Sequence, residues 1–96
     1  MKNKLLKIIR YYGIDNQLRK FSEENFELIE AIHGWRFDTE GVHYLGDKDN
    51  IKEEIADNLV LLSQFILYYN INLDDIEEIF KQKVERQLKR MEKDKK

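Results

Sequence analysis

The sequence predicts an all-α fold, and three observations carry that reading. The 96 residues contain no proline and only four glycines, at positions 13, 34, 41 and 46. Helix breakers are thus confined to one tight turn and one connecting segment. Four stretches repeat apolar residues every three to four positions, the spacing that lines one helix face. The implied architecture is a four-helix bundle-type subunit, with two long antiparallel central helices and two flanking ones.

Each element follows from local chemistry. Lys2 to Tyr12 places Leu5, Ile8, Ile9 and Tyr12 on one face and stops at Gly13. Asp15 is the expected N-cap of a second helix that reaches His33, with Leu18, Phe21, Leu28, Ile29 and Ile32 as its stripe and Gly34 as its stop. Asn50 and Glu53 match a capping box and open a third helix over residues 51 to about 69. Its stripe is Ile51, Ile55, Leu59, Leu62, Phe65, Ile66 and Tyr69. Val60, Leu61, Leu67 and Tyr68 lie off that stripe, so the second half is apolar nearly all round, more than a thin bundle buries alone. A partner subunit is the expected cover, and the predicted assembly is a homodimer or homotetramer. Asn72 caps a fourth helix, with Asp74 and Asp75 in its first turn and Ile76, Ile79, Phe80, Val84, Leu88 and Met91 on one face. Between the second and third helices, GWRFDTEGVHYLGD is the one long stretch without helical pattern, and its alternation around Thr39-Glu40-Gly41 permits a small hairpin. The Lys-rich end MEKDKK, residues 91–96, is expected to fray.

Composition narrows the chemistry. A chain of this length forms one domain, residues 1–96, and buries only about 60 to 65% of its unfolded surface, which again favours association. With no cysteine, a disulfide framework, a thiolate zinc site, an Fe–S cluster and a thiol nucleophile are excluded. The apolar run over residues 59–69 is interrupted by Ser63-Gln64 and is far shorter than the ~20 residues that span a bilayer. The N-terminus has basic residues scattered through it and no signal-peptide pattern, so a cytoplasmic protein is expected. Seventeen bases against nineteen acids give a net charge of −2, but residues 81–96 alone hold eight bases and three acids.

The sharpest local feature is a pair of acid clusters on consecutive long helices, Glu23-Glu24-Asn25-Phe26-Glu27-Leu28 and Glu53-Glu54-Ile55-Ala56-Asp57. Each holds an i, i+3 carboxylate pair, Glu24/Glu27 and Glu54/Asp57, whose members share a helix face. Glu27 and Glu54 have Ala31 and Asn58, not a base, four residues on. Antiparallel packing of the two stripes would bring the four carboxylates together, and a divalent cation would resolve their repulsion; the alternative is a solvated acidic face partnered by Lys20 or Arg19. All-oxygen ligation favours Mg²⁺ or Mn²⁺ over Zn²⁺ or Cu²⁺.

In chain order, Gln17, Glu23-Glu24-x-x-Glu27-Leu28, Glu54-Ile55-Ala56-Asp57 and Lys83-x-x-x-Gln87-x-x-Arg90 resemble the MazG-like, all-α nucleoside triphosphate pyrophosphohydrolases over about residues 17–90. That family carries an ExxE helix followed by an ExxD helix and often a Lys/Asn/Arg stripe on the next. The resemblance implies Mg²⁺-dependent cleavage between the α and β phosphates of a nucleoside triphosphate. It implies Glu24, Glu27, Glu54 and Asp57 as metal ligands, and Glu23 as an auxiliary carboxylate in the catalytic set. Lys83, Arg86 and Arg90 would receive the departing pyrophosphate. Gln17 and Gln87 would be further substrate contacts, although Gln87 stands where the stripe often has Asn. Asn58, on the inward side of Glu54, would hydrogen-bond the substrate or orient a ligand, its alternative being a polar residue inside a dimer. Trp35 and Tyr44 would stack on the base, the alternative for Trp35 being a packing anchor against the bundle, and Lys48 and Lys52 are weaker phosphate candidates.

Two other classes compete. Glu30-x-x-His33 matches half of a di-iron pattern, which needs a second ExxH where this chain has Asp57. A non-enzymatic helical dimer, an adaptor or a nucleic-acid-associated protein using the basic C-terminal helix, needs no convergent acids. No recognition helix, aromatic platform or zinc motif accompanies that basic end, so nucleic acid is not the expected partner.

Overall fold

The computed structural model describes residues 1–36 and 48–95. It contains α1 (Lys2–Tyr12), α2 (Ile14–Arg36), α3 (Lys48–Tyr68) and α4 (Leu73–Asp94), with no strand among the described residues. The all-α class and the four helices therefore match expectation. The hairpin expected after residue 34 lies, beyond Arg36, outside the described residues, as does Tyr44.

Three boundaries differ from the sequence reading. Asp15 is not a cap: α2 starts at Ile14, and Asp15 sits in its first turn, where a carboxylate favours the helix dipole. Gly34 does not stop α2, which continues to Arg36. Asn50 lies inside α3 rather than capping it, because the helix already includes Lys48. The Asn72 cap is present, its side chain accepting the Asp74 N–H at 2.8 Å.

Gly13 alone joins α1 to α2. Its φ of +89° lies where a Cβ would be strained, its N–H donates to the Ile9 carbonyl at 2.8 Å, and its carbonyl accepts from the Gln17 N–H. The α3–α4 turn uses Asn70 instead, at φ +52°. Ile71 N–H reaches Ile66 O at 2.9 Å and Asn70 N–H reaches Leu67 O at 3.1 Å, the paired bonds of a Schellman stop.

α1, α2 and α3 form the packed body, with α2 and α3 antiparallel: Gln17 near the start of α2 meets Gln64 near the end of α3, and Glu24 meets Asn58. Phe21 and Phe65 stack edge to face across the same interface at 5.4 Å. α4 makes almost no contact with the other three and buries no residue among those described. Within one chain the bundle is thus three helices with α4 standing off.

Burial within that body follows the apolar stripes only in part: Phe21 and Phe65 pack against each other and are half-buried, while the most buried positions lie beside the stripes. The buried line on α3 includes Asn58, Leu61 and Gln64, and on α2 it includes Gln17 and Glu24; Ile9 and Leu61 are the buried hydrophobic residues. The stripes predicted to face inward instead hold exposed residues, among them Leu59 at 56% and Ile29 at 51%, and Phe26 and Phe80 are 60% and 65% exposed. Leu61, expected as part of the uncovered surplus, is core. Carboxylates and amides occupy the inner face, so the apolar stripes are left for another surface. The chain exposes 8275 Å², whereas a monomeric protein of this mass exposes about 5,900 Å².

Candidate active site

Glu24 and Glu27 stand one turn apart on α2, and Glu54 faces them from antiparallel α3. Carboxylate oxygens of the three all lie within 4.8 Å of one another. Glu24 is buried, Glu54 half-buried and Glu27 exposed. This is the only such grouping of metal-ligating side chains among the described residues, and it contains no histidine. His33, the residue a di-iron site would need, is not in it.

Electrostatics in the cluster is unresolved by the protein itself. Glu24 Oε1 takes an ion pair from Lys20 Nζ at 3.1 Å, but Glu24 Oε2 and Glu54 Oε2 are buried without a hydrogen-bond partner. Burial, followed by the charges of Glu27, Glu24 and Asp57, holds the Glu54 carboxyl above the ordinary Glu range. In the opposite sense, the hydrogen bond and charge of Glu24 raise the Lys20 ammonium above its usual value. Orphaned carboxylate oxygens at this spacing fit a hard divalent cation, which takes oxygen ligands and supplies the missing positive charge. A monovalent partner is already present on one side only.

Asn58 ties the two acid-bearing helices together. Its side-chain Nδ2 donates to the Glu24 backbone carbonyl at 3.1 Å and to the Glu54 carbonyl at 2.7 Å, while its Oδ1 is buried and unpartnered. It therefore holds the backbone of two of the clustered glutamates, rather than presenting its amide N–H groups to a ligand.

Beside the cluster, a cleft of about 630 Å³ opens between α1, α2 and α3. Glu23, Glu24 and Asp57 border one end, Arg19 and Lys20 line its side, and Gln17 and Gln64 lie further along. Among the sequence candidates, Glu23, Glu24, Asp57 and Gln17 are thus gathered at the cleft, and Glu27 and Glu54 join Glu24 in the cluster. Asp57 stays outside the trio yet is close enough to act on the Glu54 charge. Lys83, Arg86, Gln87 and Arg90 are exposed on α4, and no α4 residue lines this cleft. Lys48 and Lys52 are exposed at the start of α3, where Lys52 pairs with Asp49 at 3.7 Å. Trp35 falls in the last turn of α2.

Lys20 and Gln64 were not singled out as site residues by the sequence. Lys20 had a readable signal, since it stands four residues before Glu24. Gln64 was visible only as a polar break in the 59–69 apolar run.

A family model described as MazG nucleotide pyrophosphohydrolase domain matches residues 13–91. No curated protein and no solved structure matches the chain.

Proposed function

The chain belongs to the MazG nucleotide pyrophosphohydrolase family, and we propose that it cleaves a nucleoside triphosphate between the α and β phosphates, releasing a nucleoside monophosphate and pyrophosphate in a Mg²⁺-dependent reaction, with Mn²⁺ as a substitute. The observation that carries this reading is the Glu24, Glu27 and Glu54 trio, whose Glu24 lines the cleft, with two buried carboxylate oxygens lacking partners. Those three residues would hold the cation, with Asp57 beside them. A cation held there would supply positive charge to offset the phosphates and would acidify the attacking water.

The remaining roles fall to the chain's own groups. Glu23 and Asp57, exposed carboxylates on the cleft, would accept the proton of the attacking water. Lys20, paired with Glu24, and Arg19 beside it on the cleft wall would meet the phosphate oxygens. Asn58 fixes the spacing of α2 and α3, and with it the separation of Glu24 from Glu54.

The active form we propose is a homodimer or homotetramer. An excess of about 2,400 Å² per chain over a monomer of equal mass is in the range of obligate interfaces, and the exposed stripes of α2, α3 and α4 supply the apolar area. In such an assembly Lys83, Arg86, Gln87 and Arg90 serve a neighbouring subunit's cleft. No helix among the described residues is long and apolar enough to cross a membrane; the proposed setting is the cytoplasm, where the nucleotide pool lies. A panel of ribo- and deoxyribonucleoside triphosphates, assayed for pyrophosphate with Mg²⁺ and with Mn²⁺, tests the activity. Pyrophosphate from at least one nucleotide supports it, and none from any contradicts it.

A further inference from the structure

Further along the cleft from the carboxylates sits a pair of primary amides that the cation site does not need. Gln17 Nε2 donates to Gln64 Oε1 at 2.8 Å, and the two residues are 6% and 1% exposed. Buried amides are a poor choice for packing alone: each carries a desolvation penalty that an apolar pair of similar volume avoids. The bond between them occupies one N–H and one oxygen, while two primary amides together offer four N–H groups and two carbonyl oxygens. The pair therefore retains both donor and acceptor capacity, and both residues line the cleft.

Position gives that capacity a direction. Gln17 is seven residues before Glu24 on α2, and Gln64 is seven after Asp57 on antiparallel α3, so the amides lie two turns, about 10 Å, from the acids. Between the two ends are Arg19, Lys20, Val60 and Leu61, and Ile8 and Tyr12 of α1 and Asn16 of α2 complete the lining. The cleft thus runs from a cation-demanding acidic end, past the bases Arg19 and Lys20, to an amide end with apolar walls and mixed hydrogen-bonding groups. Its volume of about 630 Å³ lies within the range of small-molecule sites. A matching ligand has phosphate at one end and, roughly one nucleoside length away, a flat neutral ring with donors and acceptors on its edge.

We infer that the buried Gln17–Gln64 amide pair reads the hydrogen-bonding edge of the nucleobase, making it the base-selecting element of the cleft. The inference rests on the proposed activity for the phosphate end of the ligand. Because the amides are bonded to each other, turning one over requires turning the other, and the pair presents one donor–acceptor pattern at a time. Methylation of the edge, as in 3-methyluridine, removes the ring N–H between the two carbonyl acceptors, so an amide oxygen that accepts from that N–H meets a methyl group instead.

The test is direct binding to the wild-type protein. With Mg²⁺ present, UMP, CMP, AMP, 3-methyluridine monophosphate and base-free ribose 5-phosphate are titrated separately while the side-chain amide resonances of Gln17 and Gln64 are followed by NMR. We expect both amides to shift with at least one unmodified nucleotide and to stay in place with ribose 5-phosphate and the methylated base. Amides unmoved by every nucleotide, or moved equally by ribose 5-phosphate, overturn the inference. A second arm uses Gln64→Leu and Gln17→Leu: KM for the preferred nucleotide rises tenfold or more, kcat changes less, and discrimination against ribose 5-triphosphate collapses. A purely structural pair would weaken both substrates in proportion, which also overturns it. If no nucleotide yields pyrophosphate, the activity fails by itself, and the NMR titration still decides the role of the amides.

Discussion

The side-chain amide of Asn58 donates to the backbone carbonyl of Glu24 across the α2–α3 interface at 3.1 Å, and the same nitrogen reaches the Glu54 carbonyl at 2.7 Å. One asparagine thereby sets the distance between the two helices at the level where their carboxylates crowd. Helix packing alone would let mutually repelling acids drift apart, and this buried clamp opposes that drift.

Replacing Asn58 with Leu removes the clamp and leaves the Glu24 carbonyl without its cross-helix donor. A loss of about 1–3 kcal/mol in unfolding free energy is expected, with weaker Mn²⁺ binding because Glu24 and Glu54 are no longer held together. Urea unfolding and calorimetric titration measure the two effects. Wild-type stability together with wild-type metal affinity in Asn58→Leu would show that the clamp does not organise the site.

Glu54 makes the metal-free protein sensitive to pH. Its folded pKa is raised, so the folded state holds a proton more tightly than the unfolded chain does, and stability falls as pH rises from the ordinary Glu range through the raised value. Glu54→Gln, which cannot ionise, should flatten that part of the pH profile and be the more stable protein at pH 7 without metal. Mg²⁺ should reverse the order, stabilising wild type and not the variant. Melting curves at pH 4.5 to 7.5, with and without Mg²⁺, check the sign. A wild type that gains metal-free stability over that interval relative to Glu54→Gln would contradict it.

Lys20 pairs with Glu24 Oε1 at 3.1 Å and would compete with any cation for that oxygen. Lys20→Met should bind Mn²⁺ several-fold more tightly, while binding a nucleotide more weakly because a phosphate-facing charge is gone. Calorimetry with Mn²⁺ alone, then with a nucleotide, separates the two. Both affinities moving in the same direction would remove Lys20 from this role.

The backbone plan was readable because helix signals are local: apolar spacing, the Asn72 cap and Gly13 each act within a few residues. The acid cluster was readable for the same reason, since i, i+3 spacing places Glu24 beside Glu27 whatever else the chain does. Which face turned inward was not. The stripe through Ile55, Leu59 and Leu62 is the more apolar one, and hydrophobicity alone points it to the core, yet Asn58, Leu61 and Gln64 are the buried residues. A helix that carries a polar face and an apolar face offers two candidates for the inner side, and periodicity does not rank them. The detachment of α4 escaped for a related reason: an amphipathic pattern reports that a face needs covering, not which chain covers it.

That uncovered area yields a prediction about assembly. Wild type should sediment at micromolar concentration as a dimer or tetramer of the 11.7 kDa chain, and Leu59→Glu, on the exposed stripe of α3, should shift it toward monomer with a lower melting temperature. A wild type that sediments as a monomer would leave the exposed stripes without the proposed cover.

The central claim is that Glu24, Glu27 and Glu54 form the metal site for hydrolysis between the α and β phosphates. The most direct measurement follows the products of the preferred nucleoside triphosphate with Mg²⁺ for wild type and Glu54→Gln, with helical content matched by circular dichroism. The predicted result is nucleoside monophosphate and pyrophosphate from wild type, and a rate lower by about two orders of magnitude or more in the variant. Release of nucleoside diphosphate and inorganic phosphate, or equal rates from the two proteins, would contradict it.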